Sequence, residues 1–135
     1  MKQSILCFLF LALAAALPAQ SDKAEVRQAT DAAVSMYQLD DKQAEEMYVI
    51  QERRFRNLAS IEALRQTDYK FYLQKKNSIR EGMMASVQRL LRANQMEPFN
   101  QALISRRQQE SALKQKLKQE GATREEIQIA IWELE

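Results

Sequence analysis

The stretch LDDKQAEEMYVIQERRFRNLASIEAL, residues 39–64, decides the fold, because its apolar side chains recur at helical intervals. Asp40 precedes Gln43 by three residues, which is the spacing of a capping box at the start of a helix. The apolar positions that follow are Met47, Tyr48, Val49, Ile50, Phe55, Leu58, Ile61 and Leu64. The pattern predicts a long amphipathic helix over about residues 41 to 66.

A second long amphipathic helix is predicted directly after the first. Thr67 or Asp68 can cap it, although no glycine or proline marks a turn there, so one continuous helix is the alternative. Its apolar positions are Tyr69, Tyr72, Leu73, Ile79, Met83, Val87, Leu90 and Leu91. Gly82 lies inside this helix at a cost of about 1 kcal/mol relative to alanine. Either a close helix crossing or simple tolerance would explain that glycine.

Shorter helices are predicted on both sides of the long pair. Asp22 and Glu25 have capping-box spacing and open a helix to about Gln38, whose stripe of small residues suggests loose docking. A fourth helix begins near Pro98, because proline suits a first helical turn. We expect its polar segment, residues 105–112, to project into solvent.

The chain end carries its own start and stop signals. Gly121 has the character of a helix C-terminal cap. Thr123 and Glu126 then form another capping box, which opens a short amphipathic helix over residues 123–135. A helix this short needs a docking surface to be stable.

These elements predict an all-α fold, with a long antiparallel helical hairpin over about residues 40–119 and shorter flanking helices. We assign residues 20–135 to a single helical domain. A hairpin or a dimer of hairpins suits the long stripes better than a compact globule does. A long coiled coil is the alternative, but no seven-residue repeat is sustained.

Residues 1–19 have the order of a secretory signal peptide. Lys2 supplies a positive start, Ile5 to Leu17 is apolar, and Ala19 is a small residue before a polar segment. The apolar run is short for a membrane span, which needs about 20 residues. We therefore expect cleavage after Ala19, a periplasmic or secreted protein, and no stable membrane insertion; a retained anchor is the alternative.

The composition argues against most enzyme classes. Without residues 1–19 the chain has no cysteine and no histidine, because Cys7 is removed with the signal and the sequence contains no histidine. It then lacks a thiol nucleophile, a histidine base and the commonest zinc ligands. We expect no enzyme activity, cofactor or metal; acid–base chemistry by Asp, Glu and Tyr alone is the alternative. Lys plus Arg falls from 20 to 19 against 18 acidic residues, so nucleic-acid binding is not expected.

A short motif occurs twice. Its first copy is Leu39-Asp40-Asp41-Lys42-Gln43 and its second copy is Leu91-Arg92-Ala93-Asn94-Gln95. Each copy lies at a predicted helix break, and each has a leucine followed four residues later by a glutamine. The leucine can cover the edge of the hydrophobic core, while the glutamine stabilises the first turn of the helix that follows. A chance match between common residues is the alternative.

With this repeat, the export signal and the helical pattern, the chain resembles the Spy/CpxP family of small periplasmic proteins over about residues 37 to 104. The hallmark of that family is L-T-x-x-Q in two copies roughly a long hairpin apart. Asp40 and Arg92 stand here in place of the two threonines. Asp40 keeps the ability to cap a helix, whereas Arg92 does not.

The resemblance implies a curved helical hairpin that dimerises into a cradle, so we expect a homodimer. It also implies binding of unfolded or misfolded envelope proteins without ATP, or damping of an envelope-stress sensor kinase. Some relatives respond to metals, but the absence of histidine and cysteine from the exported part argues against that role here.

The side chains that we predict to contact a client or partner combine apolar and basic character. They are Met47, Arg54, Phe55, Phe71, Tyr72, Met83 and Met84. Methionine adapts to irregular surfaces, and basic residues beside apolar ones can attract unfolded chains. The alternative interpretation makes the charges a solvated face and the methionines core.

A second class of function is a structural or assembly subunit that pairs its helices with a specific envelope partner. The polar segment around Arg106 to Ser111 and the C-terminal helix would then serve as docking elements. A stable monomer or homodimer that suppresses aggregation favours the chaperone interpretation. A chain that orders only with one specific partner favours the assembly interpretation.

Overall fold

The structure, a computed structural model, describes residues 23–134. Its helices are α1 (Lys23–Tyr37), α2 (Asp41–Ile61), α3 (Leu64–Thr67), α4 (Tyr69–Leu90), α5 (Met96–Gln119) and α6 (Arg124–Glu133), with a 3-10 turn at Ala93–Gln95. The predicted all-α class is confirmed. In this part of the chain, no helix is both long and apolar enough to cross a membrane. The predicted signal peptide, residues 1–19, and the capping residue Asp22 lie outside the described residues.

Helices α2 and α4 lie side by side and run in opposite directions. Near one end, the side chain of Gln43 contacts the carbonyl of Leu90, and farther along Arg53 contacts Ser86. The helix predicted for residues 41 to 66 is interrupted, because α2 ends at Ile61 and α3 follows as a separate turn. A new helix then begins after Asp68, whose carboxylate accepts from the Phe71 N–H at 3.0 Å.

The hydrophobic core lies at the end of the bundle where α2 begins and α4 ends. Its members are Ala33, Leu39, Met47, Ile50, Val87, Leu91 and Phe99. Met47 is fully buried and Phe99 is 1% exposed. These residues come from four helices and two connections, so the core holds α1, α2, α4 and α5 together at this end.

Helix α1 is firmly docked, so the expectation of loose docking is wrong. Val26 is 1% exposed and Ala33 is 9% exposed. Thr30 is also buried, and its hydroxyl donates to the Val26 carbonyl at 2.8 Å. Small side chains allow α1 to approach α2 and α5 closely. The resulting van der Waals contacts stabilise the packing of α1, although each of these side chains buries little apolar area.

The two glycines have different roles. Gly121 adopts a φ of +81°, a conformation that favours glycine, and it ends α5 as predicted. A Cβ atom at Gly82 would meet nothing within 4 Å. The close helix crossing considered for Gly82 is therefore wrong, and tolerance of a helical glycine is the explanation that remains.

Arg106 anchors the C-terminal helix, contrary to the expectation that the whole segment 105–112 projects into solvent. Its guanidinium donates to the carbonyls of Leu134 at 2.7 Å and Ile131 at 3.1 Å. The Glu110 carboxylate holds its Nε at 2.7 Å, and the side chain is 14% exposed. A cation at these carbonyls satisfies free acceptors and complements the negative end of α6.

The other side of α6 contacts the beginning of α4. The Tyr69 hydroxyl donates to Glu133 at 2.9 Å, and the Lys70 ammonium pairs with Glu125 at 2.5 Å. Ile127 is the buried residue of α6, at 7% exposure. The amphipathic C-terminal helix thus docks on its own chain.

Replacing Arg106 by methionine keeps much of the side-chain volume but removes the donors to α6. We expect Arg106→Met to lower the free energy of unfolding by about 1.5–3 kcal/mol, the range for hydrogen bonds to a charged group. Amide hydrogens of α6 should exchange faster in the same variant. Denaturant titration and hydrogen exchange measure both effects, and Arg107→Met, at an exposed neighbouring position, is the control.

Candidate functional site

The two motif copies meet in space. Leu39 and Leu91 are each 9% exposed and both belong to the core. Gln43 and Gln95 are buried polar residues at 5% and 7% exposure. The residues after each leucine have matching extended backbones, with φ −77° and ψ 172° at Asp40 and φ −82° and ψ 164° at Arg92. The same local turn therefore occurs twice, and the two turns face each other.

The side-chain amides of Gln43 and Gln95 form a reciprocal pair, which we call the amide clamp. Gln43 Nε2 donates to Gln95 Oε1 at 2.8 Å. Gln95 Nε2 donates back to Gln43 Oε1 at 3.0 Å. Because the amides are buried, each bond forms in a low dielectric where an unpaired amide would be costly.

The remaining hydrogen-bonding capacity of the clamp is used in the same way on both sides. The second amide hydrogen of Gln43 is donated to the Leu90 carbonyl, and that of Gln95 to the Gln38 carbonyl, both at 3.0 Å. Each of these carbonyls belongs to the residue directly before the leucine of the other copy. Each amide oxygen also accepts from the backbone N–H of its own copy, from Asp40 at 3.2 Å and from Arg92 at 2.9 Å. The two copies are thus related by an approximate two-fold axis.

This geometry defines what the clamp can do chemically. Both donors and both acceptor directions of each amide are occupied by the protein itself. No buried side-chain nitrogen or oxygen in the described part of the chain lacks a hydrogen-bond partner. The clamp therefore joins the start of α2 to the start of α5 and has no free group for a ligand.

Asp40 and Arg92, which follow the leucines of the two copies, form an ion pair across the same axis. The Arg92 guanidinium donates to Asp40 Oδ2, while Asp40 Oδ1 accepts from the Gln43 N–H at 2.9 Å. These bonds hold the pKa of the Asp40 carboxyl below its ordinary value of 3.8, the backbone bond from Gln43 first and the Arg92 bond second. Arg92 cannot cap a helix, and its charge contributes here by pairing with the other copy.

The predicted contact residues differ in how far their side chains are buried. Met47 is fully buried, so it is a core residue and cannot present its side chain to a partner in this arrangement. Met83 and Met84 pack against the core with partial exposure. Arg54, Phe55 and Tyr72 are half-buried, and Phe71 is 40% exposed. Among these residues Phe71 is the most accessible to a partner.

A groove between α2 and α4 contains residues that the sequence alone did not bring together. It has a volume of about 420 Å³, and the basic residues lining it are Arg53, Arg54, Lys75 and Arg89. Ser86 lies at its base, where its hydroxyl accepts from Arg53 at 2.8 Å and from Arg89 at 3.2 Å. Arg89 stands one helical turn after Ser86, which is a weak sequence signal for this feature, and Arg53 lies 33 positions away on another helix.

No family model matches the chain, and comparison with curated proteins and with solved structures gave no match. Within residues 23–134, no group of three or more His, Cys, Asp or Glu side chains is placed to hold a metal ion. The resemblance to the Spy/CpxP family therefore stays a prediction from the motif.

The clamp predicts energetic coupling between residues 43 and 95. Gln43→Leu or Gln95→Leu alone should lower the free energy of unfolding by about 2–3 kcal/mol, because each leaves buried groups of the other amide unpaired. The double variant should lose less than the sum of the singles, with a coupling of about 1 kcal/mol or more. Urea denaturation of all four proteins measures the coupling.

Gln88→Leu, an exposed glutamine of α4, is the matched control and should change stability by less than about 0.5 kcal/mol. Strictly additive losses in the double variant would contradict a direct amide pair.

The Asp40 carboxyl predicts a stability loss in acid. Because its folded pKa lies below 3.8, its contribution is present above that value and is lost as pH falls through the folded pKa. Asp40→Asn should remove this part of the acid sensitivity, whereas Arg92→Gln should remove only the share that depends on Arg92 and keep the share due to the Gln43 N–H. Thermal melting between pH 2 and 6 tests the order of the variants.

Comparison between variants is needed because Glu126, held by the Thr123 N–H, also has a lowered pKa. If Asp40→Asn lost stability in acid as steeply as the parent protein, the assignment to Asp40 would be wrong.

Proposed function

We propose that the chain is an exported, non-enzymatic helical protein that binds non-native segments of other envelope proteins without ATP. It acts as a chaperone or as a regulator of the envelope stress response in the periplasm or an equivalent secreted location. Homodimerisation is part of the proposal. No cofactor enters the proposed activity.

The observation that carries this proposal is the contact between the two Leu-x-x-x-Gln copies. The resemblance to the Spy/CpxP family lies in that repeat, and a chance repeat would not require its glutamines to meet. Gln43 and Gln95 are buried against each other although they stand 52 positions apart. The shared geometry of the two turns supports treating them as equivalent positions.

Exposed apolar side chains on a rigid helical frame support the same function. Val49 is 58% exposed on α2 and Phe71 is 40% exposed on α4. Basic side chains stand beside the aromatic rings, with the Lys75 Nζ 5.0 Å from the Phe71 ring centre. Unfolded chains expose apolar segments, and apolar burial is non-directional, so these side chains can bind such segments without a defined sequence.

The assembly-subunit alternative uses the polar segment around Arg106 to Ser111 and the C-terminal helix as docking elements. Arg106 and the helix α6 are both engaged within the chain. These contacts favour the chaperone over the assembly proposal.

The experiment is suppression of client aggregation by the chain from Gln20 onward, followed by light scattering at near-equal molar ratios without ATP. A dose-dependent decrease in scattering is expected. Val49→Ser with Phe71→Ser should weaken client binding by at least about tenfold, because tenfold corresponds to about 1.4 kcal/mol and full burial of each such side chain contributes about 1.5–3 kcal/mol.

Met36→Ser with Ile104→Ser is the matched control, since these side chains are similarly exposed but lie on α1 and α5. Equal loss in both double variants would show that client binding is not specific to α2 and α4. No suppression by a folded parent protein would refute the chaperone proposal.

A further inference from the structure

The groove between α2 and α4 concentrates positive charge. Arg53 and Arg54 enter it from α2, and Lys75 and Arg89 enter it from α4. No aspartate or glutamate is among its lining residues, all of which lie in the described part of the chain. The whole sequence has 20 basic and 18 acidic residues, so a groove with four cations and no carboxylate departs from the general balance.

Two of these cations converge on one hydroxyl. Ser86 Oγ accepts from Arg53 Nη2 at 2.8 Å and from Arg89 Nη2 at 3.2 Å, and it donates to the Gly82 carbonyl at 3.0 Å. The two guanidinium nitrogens are therefore no more than about 6 Å apart, the sum of the two bond lengths. A neutral hydroxyl cannot compensate two full positive charges, so the guanidinium groups repel each other.

The other two cations contact aromatic rings instead of carboxylates. The Arg54 guanidinium lies 5.1 Å from the Phe55 ring centre, and the Lys75 ammonium lies 5.0 Å from the Phe71 ring centre. Within residues 23–134, none of the four groove cations forms an ion pair with an acidic side chain. Cation–π contacts leave the positive charge in place and available to an anion.

The shape of the groove leaves room for a small ligand. Its volume of about 420 Å³ lies in the range of small-molecule sites. Gly82 lines the groove and places no side chain in it, and a Cβ atom there would still meet nothing within 4 Å. Ser78 and Asn57 add polar groups to the lining.

We propose that this groove binds a multiply charged oxyanion of the phosphate class. Three of the four cations are arginines, whose planar donor forks match the oxygen geometry of phosphate and bind two oxygens at once. A phosphate group offers several charged oxygens to converging donors, whereas a peptide carboxylate offers two oxygens and one charge. Binding would replace the repulsion between Arg53 and Arg89 by attraction to a shared anion. The proposal does not depend on client binding.

Inorganic pyrophosphate is the probe, and calorimetric titration of the purified chain at constant ionic strength is the measurement. We expect saturable binding and an increase in the melting temperature with pyrophosphate concentration. Arg53→Gln with Arg89→Gln should weaken binding by at least about tenfold, because both convergent donors are lost. If that variant does not fold, Lys75→Gln replaces it, since Lys75 lies over the Phe71 ring and its removal leaves both arginines in place.

Arg107→Gln with Lys114→Gln removes the same number of positive charges, but from exposed positions of α5, and is the matched control. Less than about twofold weakening is expected there, because the effect of distant charges is screened by salt. Equal weakening in both variants would show a general charge effect and overturn the proposal.

Vesicles carrying a phosphomonoester lipid distinguish the source of the oxyanion. Binding to free pyrophosphate identifies a soluble phosphate compound. Binding to these vesicles alone, lost in the groove variant and kept in the control variant, identifies a lipid headgroup held by the same residues. Failure of both probes overturns the site.

Discussion

The reciprocal hydrogen bonds between Gln43 and Gln95 are the interaction on which the rest of the fold depends. They join the start of α2 to the turn before α5, and the leucine of each copy enters the core beside them. A buried amide without partners is costly, so the pair fixes one register between the two turns. Helix α4 must then end where its last carbonyl, that of Leu90, meets the Gln43 amide.

Local signals allowed most helix boundaries to be predicted from sequence. Asp40 with Gln43 and Thr123 with Glu126 form capping boxes as their spacing indicates, and Gly121 ends α5. Each of these features depends on residues within one turn of helix, and side-chain capping chemistry acts over that distance. The break at Ile61 has no such signal, since Glu62 and Ala63 are ordinary helical residues with helical backbone angles.

Features that depend on tertiary contacts could not be read from the sequence in the same way. The sequence showed that Gln43 and Gln95 repeat, but not that each completes the hydrogen bonding of the other. Arg106 has the polarity of a solvated residue, and only the position of α6 makes it a cap. Likewise Arg53 and Arg89 come from different helices, and Ser86 brings them together only when α2 packs on α4.

The clamp also bears on the order in which the chain folds. Its glutamines stand 52 positions apart, so their pairing closes a long loop, and we expect it to form after α2 has associated with α4. Helical turns form much faster than contacts between distant residues. Interactions that are absent from the transition state act mainly on the unfolding rate. We therefore expect the amide pair to slow unfolding, which extends the lifetime of the folded chain, and to have little effect on the folding rate.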